Sequence, residues 1–307
     1  MDRIDAMKVF VAALDEGSLA GAGRKLGRSP AAVSRAVTFL EDHVGVQLLH
    51  RTTRASKLSE VGERYAVACR RLLNDLHEVE ILAASTKSQP GGTLSLTAPV
   101  HCGEQVLRPI LDDFLDAFPT VSANLLLCER SVNLIEEGID VALRIGHLPD
   151  SSMVAIRVGE VRQIIVAAPS CLAKHPRIEA PCDLAEHQII TVSQAGPNAW
   201  RFPPSAGSTT PRTVQFMPRC VVDSVRAAIA SAVEGRGVTR LLSHHVAEYV
   251  RDGRLQIVLR PYEYAPIPVH LIMPEGRLSV PKVRAFVDLA VARLRTQFAR
   301  LALDAPA

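Results

Sequence analysis

The strongest constraint on the fold is a run of three short helices within the first 45 residues. Apolar residues at three- and four-residue steps predict the first helix, since they form one stripe: Ile4, Met7, Phe10, Val11 and Leu14. Gly17 ends this helix, and Ser18 is a suitable N-cap for a second helix that continues to Leu26.

A third helix is predicted to begin at Pro30, because Ser29 is a favourable N-cap and proline is favoured at the first helical position. Its apolar face is formed by three residues and it ends at Gly45; those three are Val33, Val37 and Leu40. Because a turn of only three or four residues joins the second and third helices, the pattern is typical of a helix-turn-helix.

The segment that follows is β-prone and basic. Residues 46–54 and 57–59 flank a basic tip, which predicts a small wing. Residues 24–57 carry seven Lys or Arg against two acids, a net charge of +5, although the whole chain carries only +3. A compact basic segment in a near-neutral chain indicates a polyanion-binding module attached to another domain. With 48% hydrophobic residues, a disordered tail protein or a uniformly basic coat protein is excluded.

The exposed face of the third helix is predicted to read DNA in the major groove. Small or polar side chains there would meet base edges, and basic residues on the wing would meet phosphates. The predicted DNA-binding residues are Ser29, Ala31, Ala32, Ser34, Arg35, Thr38, Arg51 and Arg54. The alternative is a solvated three-helix unit with incidental charges.

A long helix without proline is predicted from Ser59 to about Thr86. Steps of three and four residues place its apolar positions on a single seam: Val61, Tyr65, Ala68, Leu72, Leu76, Val79 and Ala83. This seam is too long for the small N-terminal unit to cover, so a partner helix is expected. The predicted dimerisation residues are Tyr65, Leu72, Leu76 and Val79.

Strands and helices alternate after a Pro- and Gly-containing linker at 87–92. The first block has strands at 94–98, 122–128 and 141–145 and helices at 106–117 and 132–137. The second has strands at 163–168, 189–192 and 238–241 and helices at 224–234 and 245–251, before a strand at 269–273 and a helix at 281–299. This rhythm predicts an α/β fold with parallel strands covered by helices.

No pattern of an enzyme, cofactor or metal site is present. The GxSxG, HExxH, P-loop and EF-hand patterns are missing, and the glycines at 21–27 lack dinucleotide-loop spacing. We therefore predict no catalytic residue, no cofactor and no metal ligand. His244 and His245 are adjacent, so on a helix they would point about 100° apart, and a surface or capping role is expected instead of a shared metal.

The cysteines and the hydropathy pattern indicate a cytoplasmic protein. The six cysteines contain no CxxC pair, which favours reduced thiols. The N-terminal segment is acidic, and the uncharged run at 163–173 has only eleven residues, so neither a secretory signal nor a membrane span is expected.

Taken together, motifs in both halves resemble the LysR-type transcriptional regulators. In the N-terminal half these are Phe10 to Gly17, Leu26-Gly27, Ala32-Val33-Ser34-Arg35, Leu40-Glu41, Val44-Gly45-Val46, Arg51-Thr52 and Leu58-Ser59. In the C-terminal half they are Ser95 to Pro99, Leu134 to Gly146, Gly235-x-Gly237-Val238 and Pro281-Lys282-Val283. The resemblance covers nearly the whole chain. It implies a winged helix-turn-helix, a dimerising linker helix, and two α/β subdomains of periplasmic-binding-protein type around a small-molecule cleft.

The resemblance also implies an organisation and a function. The expected parts are a DNA-binding domain at 1–59, a linker helix at 60–87 and an effector-binding domain at 88–307. The latter divides into subdomain I, at 92–162 and 267–301, and subdomain II, at 163–266. The expected function is effector-modulated, sequence-specific binding of double-stranded operator DNA by a homotetramer, a dimer of dimers. The rival interpretations are a cytosolic small-molecule binding protein and an enzyme, each with an accessory DNA-binding head.

Four positions depart from the family pattern. Pro30 stands where the family often has a glutamine that reaches a base, so this contact is expected to be missing. Gly21 and Gly23 replace residues that are usually alanine, at about 1 kcal/mol of helix propensity each. Ser243 stands where a proline commonly follows the strand.

The effector site is expected where parallel strands end and helices begin, since open α/β sheets bind ligands there. The predicted residues are Pro99, Val100, His101, Cys102, Arg144, Ile145, Gly146, Thr191, Asp223 and Ser224. Helices starting near His101 and Ser224, with Arg144 directly after a strand, favour an anionic effector. Alternatively, Asp223 caps its own helix and Arg144 pairs with a nearby acid such as Asp140, which leaves an uncharged pocket.

Two single residues keep two interpretations each. Cys102 is either a thiol activated by a helix N-terminus or a small apolar residue lining the cleft. Trp200 either stacks on a ligand or anchors a loop.

Overall fold

The computed structural model describes residues 2–51, 56–84, 89–148, 153–193, 198–204 and 209–303; for residues 51, 56, 57, 74, 75 and 77–84 it describes the backbone alone. The N-terminal unit begins with α1 (Arg3–Asp15), α2 (Leu19–Leu26) and α3 (Pro30–Val44). A two-stranded antiparallel wing follows, formed by β1 (Leu49–Arg51) and β2 (Ser56–Leu58). The predicted helix-turn-helix and wing are therefore confirmed.

The helix ends of this unit follow from local chemistry. The Ser18 and Ser29 hydroxyls accept hydrogen bonds from the amides of Gly21 and Ala32, at 3.0 and 3.2 Å. Gly27 and Gly45 end α2 and α3 with φ of 63° and 76°, a backbone conformation that glycine adopts without strain. Apolar residues from the three helices then form one core, which includes Val9, Phe10, Val33, Val37 and Leu40.

The linker helix α4 (Glu60–Ala84) packs its N-terminal turns on α1. Ala66 and Cys69 are buried in the core of the N-terminal unit, and Arg70 forms an ion pair with Asp15 at 2.6 Å. Gly62 permits the close approach of α4 to the residue just before β1, because a Cβ atom at position 62 would lie 2.1 Å from the Leu48 carbonyl oxygen. The prediction of a helix to Thr86 extends past the last described residue of α4.

One five-stranded sheet of the C-terminal half has the order β4-β3-β5-β14-β6. Its strands are β3 (Gly92–Ala98), β4 (Val121–Leu127), β5 (Val141–Ile145), β6 (Met153–Val161) and β14 (Ile267–Pro274). Its helices are α5 (Val100–Cys102), which continues through a π-helical turn (Gly103–Leu107) into α6 (Arg108–Ala117), and the C-terminal α10 (Pro281–Leu301). Phe114 and Phe286 meet edge to face in the core beneath this sheet, which belongs to subdomain I.

The second five-stranded sheet has the order β11-β8-β12-β7-β13 and belongs to subdomain II. Its strands are β7 (Gln163–Ala167), β8 (Ile189–Val192), β11 (Cys220–Val222), β12 (Val238–Leu242) and β13 (Gln256–Val258). Around it lie α7 (Pro169–Leu172), α8 (Val225–Val233), α9 (Ser243–Arg251), a hairpin of β9 (Ala199–Phe202) and β10 (Arg212–Gln215), and short 3-10 turns at Pro181–Glu186 and Arg260–Tyr262. Another 3-10 turn, Arg277–Ser279, connects β14 to α10 in subdomain I.

Three expectations about this half are corrected. The sheets are mixed, because β14 runs antiparallel to β5 and β6, and β7 antiparallel to β12. Residues 132–137 form a turn instead of a helix. The side-chain oxygen of Asn133 accepts hydrogen bonds from the amides of Ile135 and Glu136, and Gly138 has a φ of 66°. The helix expected at 106–117 begins at Val100, and its widened π turn accommodates Pro109, which has no amide hydrogen to donate.

All six cysteines are free. Among the described residues, no helix combines the length and the apolar character needed to cross a bilayer.

Candidate functional site

The first candidate site is the outer face of α3. Ala31, Arg35 and Thr38 are exposed there, and Ala32 and Ser34 are half-buried beside them, while Val33, Ala36, Val37 and Leu40 fill the core. Ser29 is exposed, but its hydroxyl caps the helix. Five of the eight predicted DNA-binding residues therefore share one helix face, with Ser29 at its N-terminal end. Arg51 lies on β1 with only its backbone described, and Arg54 lies outside the described residues.

Internal ion pairs reduce the free charge of the basic segment and stiffen it. Arg28, in the turn between α2 and α3, forms a two-pronged salt bridge with Asp5 of α1, at 2.7 and 2.8 Å. This contact lowers the pKa of the Asp5 carboxyl. Lys25 pairs with Glu16 at 3.0 Å. These two cations orient the helices. The exposed Arg35 is therefore a better candidate for DNA contact than Lys25 or Arg28.

The wing is fastened to the end of α3 by a residue that sequence analysis had not assigned to the site. The Glu41 carboxylate accepts hydrogen bonds from the amides of Leu48 and Leu49, at 2.9 and 3.1 Å. The two charge-assisted hydrogen bonds that this carboxylate accepts fix the residue at which β1 starts. Glu41 was visible in the sequence only as part of a family motif.

The linker helix carries an exposed apolar strip. Leu72 is 53% exposed and Val61 38% exposed, while Leu76 is half-buried. Tyr65, predicted for dimerisation, instead packs inside its own protomer with its ring centroid 6.0 Å from that of Phe10. The side chain of Val79 lies outside the described residues. Among the predicted dimerisation residues, Leu72 is thus the most accessible described side chain.

The predicted effector residues lie at or near strand ends and helix starts, but the structure does not bring them together in one described cavity. Pro99 and Val100 follow β3, Gly146 follows β5 with a φ of 144°, Thr191 lies in β8, and Asp223 and Ser224 follow β11. Arg144 and Ile145 are the last two residues of β5, so Arg144 lies within the strand and not after it, and it is opposite His270 of β14. Of the ten, only His101 lines the cavity of about 630 Å³ that opens beside α8 and α9.

The two helix N-termini differ in their availability for an anion. The Val100 amide at the start of α5 already donates to the Glu129 carboxylate, at 2.9 Å. Ser224 occupies the N-cap position of α8 without any side-chain cap hydrogen bond. The start of α8 is therefore the more open of the two, and the alternative in which Asp223 caps it is not observed.

Arg144 lies near one acid, since the pKa of the Glu137 carboxyl is lowered mainly by its hydrogen bond from Arg130 and in part by the charge of Arg144. Asp140, only 3% exposed, accepts the Ser95 amide at 2.9 Å and lies 3.5 and 3.9 Å from the cations of Arg277 and Lys282. The buried Nη2 atom of Arg144 has no hydrogen-bond partner among the described residues. Asp140 is therefore not the partner of Arg144, and one guanidinium nitrogen of Arg144 remains available for an acceptor.

The single-residue alternatives are also decided. Cys102 is fully buried in the core of subdomain I, and burial raises the pKa of its thiol to about 12, so both an activated thiol and a cleft-lining residue are wrong. Trp200 is buried on β9, edge to face with Phe216 and with the Arg240 guanidinium 5.1 Å from its ring centre. These contacts show that its ring anchors the hairpin.

A hinge that the sequence did not reveal joins the two subdomains at Arg162. Its guanidinium pairs with Glu263 at 2.8 Å, and its backbone exchanges two hydrogen bonds with Ser243: the Ser243 amide donates to the Arg162 carbonyl at 2.7 Å, and the Arg162 amide to the Ser243 hydroxyl at 3.0 Å. A proline at 243, which the family commonly has, could form neither bond. The Arg226–Glu104 ion pair adds a second contact between the subdomains.

The expected surface or capping role of His244 and His245 is wrong. His244 is buried and His245 half-buried, and no side-chain hydrogen bond caps α9. Both rings lie close to His101 of the other subdomain.

Comparison with known proteins agrees with this architecture. Residues 4–63 match the family described as "Bacterial regulatory helix-turn-helix protein, lysR family", and residues 87–295 match the family described as "LysR substrate binding domain". The second match alone spans more than half of the chain.

The similar proteins include regulators of opposite sign. An HTH-type transcriptional repressor of Pseudomonas aeruginosa is 33% identical over 291 residues, which cover 94% of this chain and 91% of the relative. The HTH-type transcriptional activator AaeR of Escherichia coli is 30% identical over 288 residues, 94% of this chain and 93% of the relative. The solved structure of CrgA, a LysR-type transcriptional regulator from Neisseria meningitidis, matches with a TM-score of 0.60 and 28% identity over 94% of this chain and 98% of that one. The winged helix-turn-helix, the linker helix and the two-sheet effector half, with these matches, show that the chain belongs to the LysR family of transcriptional regulators and is not an enzyme.

Proposed function

We propose that this regulator reads operator DNA through the outer face of α3 and responds to a small anionic effector held between its two subdomains. The observation that carries the DNA-reading part is the placement of Ser34, Arg35 and Thr38 on one accessible face of a helix whose other face is buried. Such a face fits the major groove, where short polar side chains and an arginine reach base edges.

The unpartnered Nη2 atom of Arg144 supports an anionic effector. A buried guanidinium nitrogen without an acceptor is costly, and a carboxylate could accept from it. The uncapped start of α8 adds unpaired backbone amides and a partial positive charge. An effector that binds one closure of the subdomains more tightly would shift the equilibrium between the two closures, and with it the arrangement of the DNA-binding heads. The free energy of that shift is no larger than the effector's differential affinity for the two closures.

Two heads are required for tight operator binding, so we propose pairing through the exposed strip of α4 around Leu72 and assembly into a dimer of dimers. Two half-sites about one helical turn apart follow from this symmetry. The proposed function places the protein in the cytoplasm, with the DNA that it binds.

The experiment is a titration of full-length protein against the DNA upstream of its own and neighbouring genes, with a thermal-shift screen of carboxylates, phenols, amines and neutral sugars. We expect selective binding to one upstream fragment and stabilisation by a carboxylate that is lost in Arg144→Ala. Equal affinity for all fragments would contradict the DNA-reading part. Stabilisation by amines or sugars alone, or full carboxylate affinity in Arg144→Ala, would contradict the anionic effector.

A further inference from the structure

Three imidazole rings meet where the two subdomains face each other. His101 lies in α5 of subdomain I, and His244 and His245 lie in the first turn of α9 in subdomain II. The ring centroid of His101 lies 4.6 Å from that of His245 and 6.1 Å from that of His244. One ring nitrogen from each histidine lies within 4.8 Å of the other two. Residues remote in sequence thus bring three donor atoms to one point.

These nitrogens are not used by the protein itself. Nδ1 of His101, Nδ1 of His245 and both ring nitrogens of His244 are buried without a hydrogen-bond partner among the described residues. His244 is only 5% exposed. Leaving a buried nitrogen unpaired costs about 1–3 kcal/mol, so four in one place require a ligand that accepts their lone pairs or supplies hydrogen bonds.

Imidazole nitrogens are common metal ligands, because a neutral ring offers a lone pair that coordinates the ion.

The spacing suits one small ion. Three points no more than 4.8 Å apart have a common centre at most about 2.8 Å from each. A Zn–N bond is about 2.0–2.1 Å, so each nitrogen must approach by about 0.7 Å, which small side-chain rotations provide. The same histidines line the cavity of about 630 Å³, which leaves the outer side open for a fourth ligand.

The cavity is lined by charged side chains of both signs: Arg226, Arg254, Arg300, Glu234 and Glu248. Arg226 lines the cavity and opposes a cation, as does the positive end of α9, but the Arg226 guanidinium is held by Glu104. Glu248, one turn beyond the histidines on α9, lines the cavity and offers a carboxylate.

We propose that His101, His244 and His245 bind one divalent first-row transition metal ion, with zinc as the fitting occupant, which bridges the two subdomains. Imidazole donors suit zinc, copper and nickel, whereas magnesium and calcium require oxygen ligands. Ser243 ties the start of α9 to the hinge residue Arg162, so a bound ion fixes the closure of the subdomains at a second point. This site goes beyond the proposed function, because it requires neither DNA nor the anionic effector.

The test uses tag-free, full-length protein stripped with a chelator and titrated with Zn²⁺, with Co²⁺ as a spectroscopic substitute and Mg²⁺ as the control ion. His101→Gln and His245→Gln each remove one ligand from a different subdomain, and His175→Gln removes a histidine remote from the cavity. Circular dichroism melting shows which variants are folded.

We expect one Zn²⁺ per protomer, a visible Co²⁺ spectrum without thiolate charge transfer, and no binding of Mg²⁺. Each ligand variant should weaken Zn²⁺ binding by about 100-fold or more, and His175→Gln should leave it unchanged. Undetectable stoichiometric binding, a thiolate charge-transfer band, or unchanged affinity in either folded ligand variant would overturn the proposal. Because the readout is metal affinity, a failure to bind operator DNA would leave this result unaffected.

Discussion

The DNA-binding head and the effector half place their functional residues in opposite ways. In the head, Ser29 to Thr38 are consecutive in sequence and present one face of a single helix. In the effector half, the candidates extend from Pro99 to Ser224, and the fold alone brings them to the ends of strands in two sheets. A site on one helix needs only a correct helix, whereas a site between two sheets also needs a correct hinge. Substitutions should therefore act locally in the head and through subdomain closure in the effector half.

The largest effect on operator binding is expected for a substitution on the exposed strip of α4, because both halves depend on this surface. Leu72→Glu places a charge on the exposed strip of α4 and should separate the dimer, with operator affinity falling by about 100-fold or more as one head loses its partner. Light scattering and operator titration measure both effects. Arg64→Glu, at a position on the same helix with a 73% exposed side chain, is the control. A Leu72→Glu protein that remains dimeric would move the interface elsewhere.

The second prediction tests whether the halves unfold separately. Asp140→Ala leaves the buried Lys282 ammonium without its carboxylate partner and should cost the effector half about 3–5 kcal/mol. Calorimetry should show one lowered transition and an unchanged transition for the head. Asp112→Ala, which removes an exposed acid paired with Arg108, should change neither. Equal lowering of both transitions would show that the halves are a single cooperative unit.

The third prediction separates base reading from phosphate binding within the head. Arg35→Ala should lose about 1–3 kcal/mol at the operator and little on random DNA. Arg54→Ala should weaken both alike and reduce the slope of log K against log salt by about one. If Arg54→Ala changed sequence preference at an unaltered salt slope, the wing would be reading bases.

A smaller effect is expected at the hinge. Ser243→Ala removes the hydroxyl that accepts the Arg162 amide and should cost the effector half about 1 kcal/mol. Ser231→Ala on α8 is a matched control, since it removes a hydroxyl away from the hinge. Equal melting temperatures for the two variants would show that the Ser243 hydroxyl does not stabilise the hinge.

The smallest effect is pH-dependent and confined to the head. The Arg28 contact lowers the folded-state pKa of Asp5, so the stabilisation is present above the unfolded value of 3.8 and is lost as pH falls through the folded value. Asp5→Asn should therefore melt slightly below the wild type at pH 7, and the difference should shrink as the pH falls below 3.8. A difference that grows on acidification would contradict the pair.

What the sequence could predict follows the same division. The bounds of α3 were readable from Ser29, Pro30 and Gly45, because caps and breakers act on neighbouring backbone. The segment 132–137 has the apolar spacing of a helix, and this spacing predicts a helix there. The prediction is wrong because the Asn133 side chain accepts backbone hydrogen bonds and forms a turn. The Arg162–Ser243 hinge and the convergence of His101 with His244 and His245 were not predicted, since residues so far apart in sequence are joined only by the sheet order.

The most direct test of the account is recovery of genomic DNA fragments bound by the full-length protein, compared with Arg35→Ala. The account predicts a few discrete fragments for the wild type, each with two similar half-sites about one helical turn apart or a multiple of it, and their loss in the variant. Uniform recovery of the genome by the wild type, or identical fragments with Arg35→Ala, would contradict the claim that α3 reads the operator.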